Sequence, residues 1–246
     1  QCFLVVFFVL IENIFIRSLS VDFFDNLLKI KSINILLTIF CFLVLINGTN
    51  FLDGLNGLVS GYYIITISSI LFLADQNLIN LLYQKEITYL LVGLIIFFVF
   101  NMFGLTFLGD GGAYILAAII GYIFISNFNS NLSISPYFIA LLLWYPAFEN
   151  LFSLVRRIYK KSNVSYADKL HLHQLIFRYL KTNKIFSSKL INPITALIIL
   201  LFNLPSIIIA TILFSHTISL IFLLLINLMI YLLVYYFLSK NFKFKK

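Results

Sequence analysis

Long apolar runs broken by short polar clusters give this chain its pattern, and each run approaches the roughly 20 residues that an α-helix needs to cross a bilayer. The pattern predicts spans at residues 3–16, from Ile33 into Gly48, and at Leu55–Ala74, Thr88–Phe103, Ala113–Phe128, Pro136–Ile158, Leu190–Phe214 and Thr217–Leu238. Residues 17–32 mix charge with large apolar side chains, which suits a segment lying at the membrane interface. Pro146, inside the long sixth run, deletes one backbone donor and is expected to bend that span. The expected fold is all-α, a polytopic transmembrane bundle with about eight spans. No internal repeat or flexible linker divides it, so residues 1–246 read as one integral domain.

Composition agrees, with 62% hydrophobic residues, 11% charged residues and a mean hydropathy of +1.05. The net charge of +8 does not point to nucleic acid, because the basic residues sit where topology signals belong. Alternation across eight spans puts residues 47–58, 104–112 and 156–189 and the tail 239–246 on one side, with 13 of the 17 Lys and Arg residues. The positive-inside rule then faces these segments to the cytoplasm. Cys2 and Cys41 both lie in apolar runs and read as packing residues. The chain opens on Gln1 inside an apolar run, as though an earlier part were missing.

Three polar clusters fall on that side. The first is NGTNFLDGLNGL, Asn47 to Leu58, with Asn47, Asn50, Asn56, Asp53 and three glycines between two spans. Polar groups and irregular backbone at that depth are tolerated only where they line an enclosed or wet cavity, which marks a site. A polar turn in which Asp53 caps the next helix is the competing reading. The second is FLGDGGAY, Phe107 to Tyr114, with Asp110 between glycines at a helix start suited to phosphate. A carboxylate beside a phosphate needs a cation between them, so Asp53 and Asp110 together imply Mg2+; a helix-capping Asp110 remains open. The third is DKLHLHQLIF, Asp168 to Phe177, with His171 and His173 near Lys160, Lys161, Lys169 and Arg178. It suits an anionic phosphate, or is a solvated basic loop.

Taken together, these clusters resemble the polyprenyl-phosphate N-acetylhexosamine-1-phosphate transferases, relatives of phospho-N-acetylmuramoyl-pentapeptide translocase. WYPAFENLFSLVRR, Trp144 to Arg157, is similar to the proline-bent helix that in this family leads to paired arginines, here Arg156 and Arg157. The resemblance implies transfer of a sugar-1-phosphate from a UDP-N-acetylhexosamine to polyprenyl phosphate, with release of UMP. It places the reaction at the cytoplasmic face of the inner membrane, in cell-envelope polysaccharide, lipopolysaccharide or peptidoglycan precursor synthesis.

By the same resemblance Asp110 binds Mg2+, Asp53 is the essential aspartate of the asparagine-rich loop, and Asn47 and Asn50 are the amides before it. Asn56 stands where some members carry an aspartate. Asn101 and Phe107 match uracil contacts, and His171 and His173 match the histidine motif, with Gln174 in place of a third histidine. The family's paired aspartates are absent, since Glu12 is the only acidic residue before Ser20. Relatives have ten or eleven spans, so these 246 residues are expected to be an N-terminally shortened form that is inactive alone.

Beyond the lipid bilayer and the two substrates no partner is implied, though a homodimer is compatible. Glu149 beside Pro146 is expected to pair with an Arg or Lys or to bridge helices. The rival readings are a secondary transporter, which would place its site at mid-bilayer between repeats, and a non-catalytic homologue. A CDP-alcohol phosphotransferase lacks support, because the residues after Asp53 carry none of its further aspartates.

Overall fold

A computed structural model describes residues 2–131, 133–159, 170–188 and 190–243, with side chains described as far as Lys240. Among the described residues there are 11 helices and no strand. They are α1 (Cys2–Ile11), α2 (Asp22–Leu28), α3 (Lys31–Leu52), α4 (Leu58–Asp75), α5 (Gln84–Met102), α6 (Gly109–Ser130), α7 (Pro136–Leu142), α8 (Trp144–Tyr159), α9 (Leu172–Thr182), α10 (Ile191–Ile212) and α11 (Thr217–Lys243).

Six of them, α3, α4, α5, α6, α10 and α11, are long and apolar enough to span a membrane, and the bent pair α7–α8 brings the number to seven where it counts as one broken span and not as a re-entrant loop. The eighth expected span appears as α1, whose 10 residues reach only about half the hydrocarbon thickness. Helix α1 lays Val5 and Val9 on Phe42, Leu45 and Ile46 of α3.

Helix α4 is the axis of the bundle. Residues Leu58 to Tyr63 are all buried, as are Ile67, Ile70, Leu71 and Leu73, because α5 and α10 cover it from two sides. Helix α5 buries only a stripe, Ile87, Leu94 and Asn101, spaced every two turns, and turns Val92, Ile95, Ile96 and Val99 outward. An outward apolar face of that kind belongs against lipid.

Helices α7 and α8 meet at an angle of 75°. The break falls at Leu143, three residues before the proline expected to cause it. The Pro146 ring cannot lie beside the carbonyl of residue 142, so the helical ladder is interrupted upstream. The N–H of Tyr145 turns instead to the hydroxyl of Tyr62, at 3.4 Å. Proline then sits in the first turn of α8, where its missing N–H costs nothing.

Alternation of the spans gives the bundle two polar ends. At one end Asn127 and Asn131 of α6 brace the loop after α4, accepting the N–H groups of Leu82 (2.6 Å) and Asn80 (2.8 Å). The other end carries the three sequence clusters.

The α3–α8 crossing fixes that second end, because Gly48 lets the two backbones touch. A Cβ built on Gly48 would lie 2.0 Å from the Pro146 carbonyl oxygen, whereas one on Gly61 would meet the flexible end of Leu200 at 2.5 Å. Gly48→Ala is therefore expected to cost about 1–3 kcal/mol and Gly61→Ala less, read as thermal unfolding midpoints in detergent. Equal midpoints for the two variants would contradict this account of the crossing.

Candidate active site

The last turn of α3 delivers the first cluster. Helix continues through Asn47 and Asn50 to Leu52, so both amides project from a regular helix. The Asn47 amide donates back to the carbonyl of Leu43 at 2.8 Å. The Asn50 amide reaches the Tyr114 hydroxyl of α6 at 3.4 Å, while its buried carbonyl oxygen Oδ1 has no partner among the described residues. Asp53 ends α3, and a tight turn leads to Gly57, whose φ of +83° is one that a side chain would resist. Gly57, not Asp53, stands at the N-cap of α4, so the capping reading of Asp53 falls.

The second cluster comes to meet it. Asp110 lies in the first turn of α6, exposed, behind a Leu108 N-cap that makes no side-chain capping bond. Asp53 is half-buried beside it. Burial pushes the Asp53 carboxyl above its ordinary range, the backbone N–H of Gly109 draws it down, and the charge of Asp110 raises it again. Asp53 and Asp110 are thus neighbouring carboxylates at the start of α6.

Asn101 locks the two loops together. Its carbonyl oxygen accepts the N–H of Gly57 at 2.5 Å, and its amide donates to the Thr106 carbonyl at 2.6 Å. Both ends of this side chain are therefore spent on backbone. Phe107, in the same loop, is 74% exposed and stands open to a ligand. Asn56 receives support that sequence reasoning missed, since its N–H donates to Asn192 of α10 at 2.7 Å. Nothing in the run around Asn192 marks it, because the bond spans 136 residues.

The two histidines of the third cluster are buried rather than solvated. His171 is 3% exposed and His173 is fully buried, with their rings parallel at 5.5 Å. Phe51, two residues before Asp53, packs against the His171 ring at a tilt of 36°, with ring centroids 4.6 Å apart. The histidines thus share the polar end with the aspartates.

Glu149, 1% exposed, faces them from α8. Its Oε2 lies 2.9 Å from His171 Nδ1, and its Oε1 accepts the Leu172 N–H at 3.0 Å and the Tyr145 hydroxyl at 3.2 Å. His173 Nδ1 lies 3.8 Å from the same Oε1. Glu149 therefore bridges α8 to the start of α9 through His171 and the Leu172 N–H.

Arg156, two turns further along α8, donates to the Leu170 carbonyl and the Tyr235 hydroxyl, both at 2.5 Å. Its guanidinium lies over the rings of Phe152 and Tyr235. Arg157 is half-buried in the last turn of α8. Lys160, Lys161, Asp168 and Lys169 lie outside the described residues.

The donor set fits a hard cation. Asp53, Asp110 and the open Asn50 Oδ1 offer oxygen only, and Mg2+ commonly takes one or two carboxylates and completes its shell with water and phosphate oxygens. Among the described residues no three His, Cys, Asp or Glu side chains gather as a full cage.

Comparison with known proteins points the same way. The sequence profile of glycosyl transferase family 4 matches residues 1–127. A probable undecaprenyl-phosphate N-acetylglucosaminyl 1-phosphate transferase of Bacillus subtilis (strain 168) is 25% identical over 146 residues, 58% of this chain and 40% of that protein. The undecaprenyl-phosphate alpha-N-acetylglucosaminyl 1-phosphate transferase of Thermotoga maritima is 29% identical over 138 residues, 56% of this chain and 41% of that protein. The matched stretch thus spans about two-fifths of the length of these relatives. No solved structure matches.

Asn101→Ala would leave a buried N–H and a carbonyl without partners at once, which costs about 1–3 kcal/mol. A lowered unfolding midpoint and faster hydrogen exchange at the Gly57 amide are expected. Unchanged exchange there would mean that Asn101 does not lock the loops.

Proposed function

Because the chain belongs to glycosyl transferase family 4, we propose that it serves the transfer of a sugar-1-phosphate of N-acetylhexosamine type from a UDP-sugar to polyprenyl phosphate, releasing UMP. The single observation that carries this is the meeting of Asp53 and Asp110, 57 positions apart in sequence, at the bundle end that also holds His171. The printed functions of the two relatives support it, both being undecaprenyl-phosphate transferases of an N-acetylglucosaminyl 1-phosphate group. A cytoplasmic orientation is supported by the basic residues of α8 and α9, which lie at that same end. The product belongs with precursors of cell-envelope polysaccharide or peptidoglycan, and residues 1–246 act as one membrane domain.

In the reaction an oxygen of the lipid phosphate attacks the sugar-bearing phosphorus, a new P–O bond forms, and the bond to the UMP oxygen breaks. Both reactants are anions, so the site must gather them against their repulsion and hold them in line. Magnesium held by Asp53 and Asp110 would supply positive charge shared by the phosphate oxygens. Asn47, Asn50 and Asn56 offer amide donors and acceptors to the sugar and the nucleotide. Phe107 offers an exposed ring for the uracil, with Asn101 behind it fixing the loop. His171, His173, Arg156 and Arg157 bring cationic or donor groups to the lipid phosphate side.

A cavity of about 280 Å³ lies beside the α7–α8 bend, lined by Phe40, Val44, Gly121, Ile139, Leu143 and Ala147 among others. Its apolar walls suit an isoprenoid tail.

The test gives membranes carrying this chain, or this chain preceded by the N-terminal spans of the Thermotoga maritima relative, polyprenyl phosphate and a panel of UDP-sugars. UMP release is expected from the longer chain and not from these residues alone. Robust release by these residues alone would contradict the expected inactivity, and release by neither, with the relative active alongside, would leave a non-catalytic homologue. In the active form Asp53→Asn or Asp110→Asn should lower turnover about 100-fold or more while the protein stays in the membrane. Unchanged turnover in either variant would remove the proposed cation site.

A further inference from the structure

We propose that the cavity between α2, the start of α3 and the end of α6 binds the phosphodiester of an anionic glycerophospholipid. Helices α3 and α6 are both spans, running between the two polar ends in opposite directions. Helix α3 starts at Lys31 and ends beside Asp53, whereas α6 carries Asp110 in its first turn and Asn129 in its last. The cavity therefore lies at the membrane boundary opposite the candidate active site, about 30 Å away along the 22 residues of α3. It measures about 470 Å³ and is lined by Asn13, Arg17, Asp25, Lys29, Asn34 and Asn129 among others.

Amides hold the walls, and the cations keep donors to spare. The Asn129 amide donates to the Phe15 carbonyl at 2.7 Å, and its Oδ1 accepts the Arg17 N–H at 3.3 Å. From α3 the Asn34 amide donates to the carbonyls of Ile16 and Leu28, at 3.0 Å and 3.3 Å. The stretch that carries Arg17 is thus fixed to α3 and α6 through its backbone. The Arg17 guanidinium makes one long contact, 3.4 Å to the Asn129 carbonyl, so most of its N–H groups remain to donate. Lys29 gives one N–H to Asn26 at 2.8 Å and keeps the others. Asp25 already accepts the Ser18 hydroxyl at 2.7 Å and the Leu19 N–H at 2.6 Å. Among the described residues neither Arg17 nor Lys29 forms an ion pair with it or with another acid.

Two cations against one acid leave this lining with a single positive charge, the complement of one phosphodiester. A guanidinium can hold two phosphate oxygens at once, and an ammonium adds a further charged contact. Helix α2 indicates what the phosphate is attached to. Its Phe23, Phe24 and Leu27 are exposed, as are Ile30 and Ile33 just beyond it. Large apolar side chains at the end of a span belong against acyl chains, so an anion seated beside them brings hydrocarbon with it. A soluble anion would leave those side chains uncovered. A zwitterionic lipid would add an ammonium to a lining that is already positive, so selectivity falls on a lipid of net negative charge.

Native mass spectrometry of the chain, titrated with phosphatidylglycerol or phosphatidylethanolamine, reads the selectivity. Phosphatidylglycerol is expected to bind about tenfold more tightly, a preference that Arg17→Gln combined with Lys29→Gln removes at a similar unfolding midpoint. Lys85→Gln, which removes a charge at the same end but outside the cavity, should keep it. Equal affinity for the two lipids in the unaltered chain, or a preference that survives the double substitution, would overturn the proposal. So would displacement of the lipid by an equal concentration of glycerophosphoglycerol, its soluble headgroup, since the site would then take a free anion. Photo-crosslinking decides the matter even if the double variant fails to fold. Phosphatidylglycerol with a photoreactive headgroup, in nanodiscs holding the unaltered chain, should label peptides from residues 13–34 or the one carrying Asn129. Labelling elsewhere alone would overturn the proposal. The same peptides should be labelled when the N-terminal spans of the Thermotoga maritima relative precede the chain. Loss of labelling there would mean that protein and not lipid fills the cavity, which overturns it as well.

Discussion

Asparagine amides satisfying loop backbone are the interaction on which this bundle depends. Hydrocarbon offers no hydrogen bonds, so every N–H and carbonyl that a turn removes from a helix must find a partner inside the protein. Asn101 serves Gly57 and Thr106, Asn192 serves Asn56, and Asn127 and Asn131 serve the loop after α4. One such side chain can give and accept together, which no aliphatic residue can do. The chain can therefore hold short irregular loops at both membrane faces while remaining only 11% charged.

That economy shapes the electrostatics of the polar end. Neutral amides do the bracing, and the charge of Asp110 adds to the cost of ionising the half-buried Asp53. Glu149 is the exception, since its charge is shared between the start of α9 and an imidazole. The two acidic groups near the loops and the one on α8 thus do different work. Asp53 and Asp110 sit side by side near the loops, and Glu149 ties α8 to the start of α9.

Much of this was legible beforehand, for physical reasons that differ between elements. Spans show in sequence because burial in lipid demands continuous apolar length, and α3, α4, α5, α6, α10 and α11 fall close to the runs that predicted them. The gathering of residues 47–58, 104–112 and the histidines follows from counting crossings, and the contacts of Asp53 with Gly109 and of Phe51 with His171 agree. The bend was foreseen, but its place was not, because the proline ring acts on the carbonyl four residues earlier. The partners of Glu149 and Asn192 were beyond reach. A hydrogen bond across 22 or 136 residues leaves no periodic trace in the chain that makes it.

The bare backbone of Gly48 against Pro146 has a mechanical consequence. With no side chain between them to tilt or flex, α3 and α8 meet backbone to backbone, one arm ending in Asp53 and the other carrying Glu149, which binds His171. Any shift of α8 against α3 must therefore slide backbone over backbone, so the spacing between the groups on the two arms resists change.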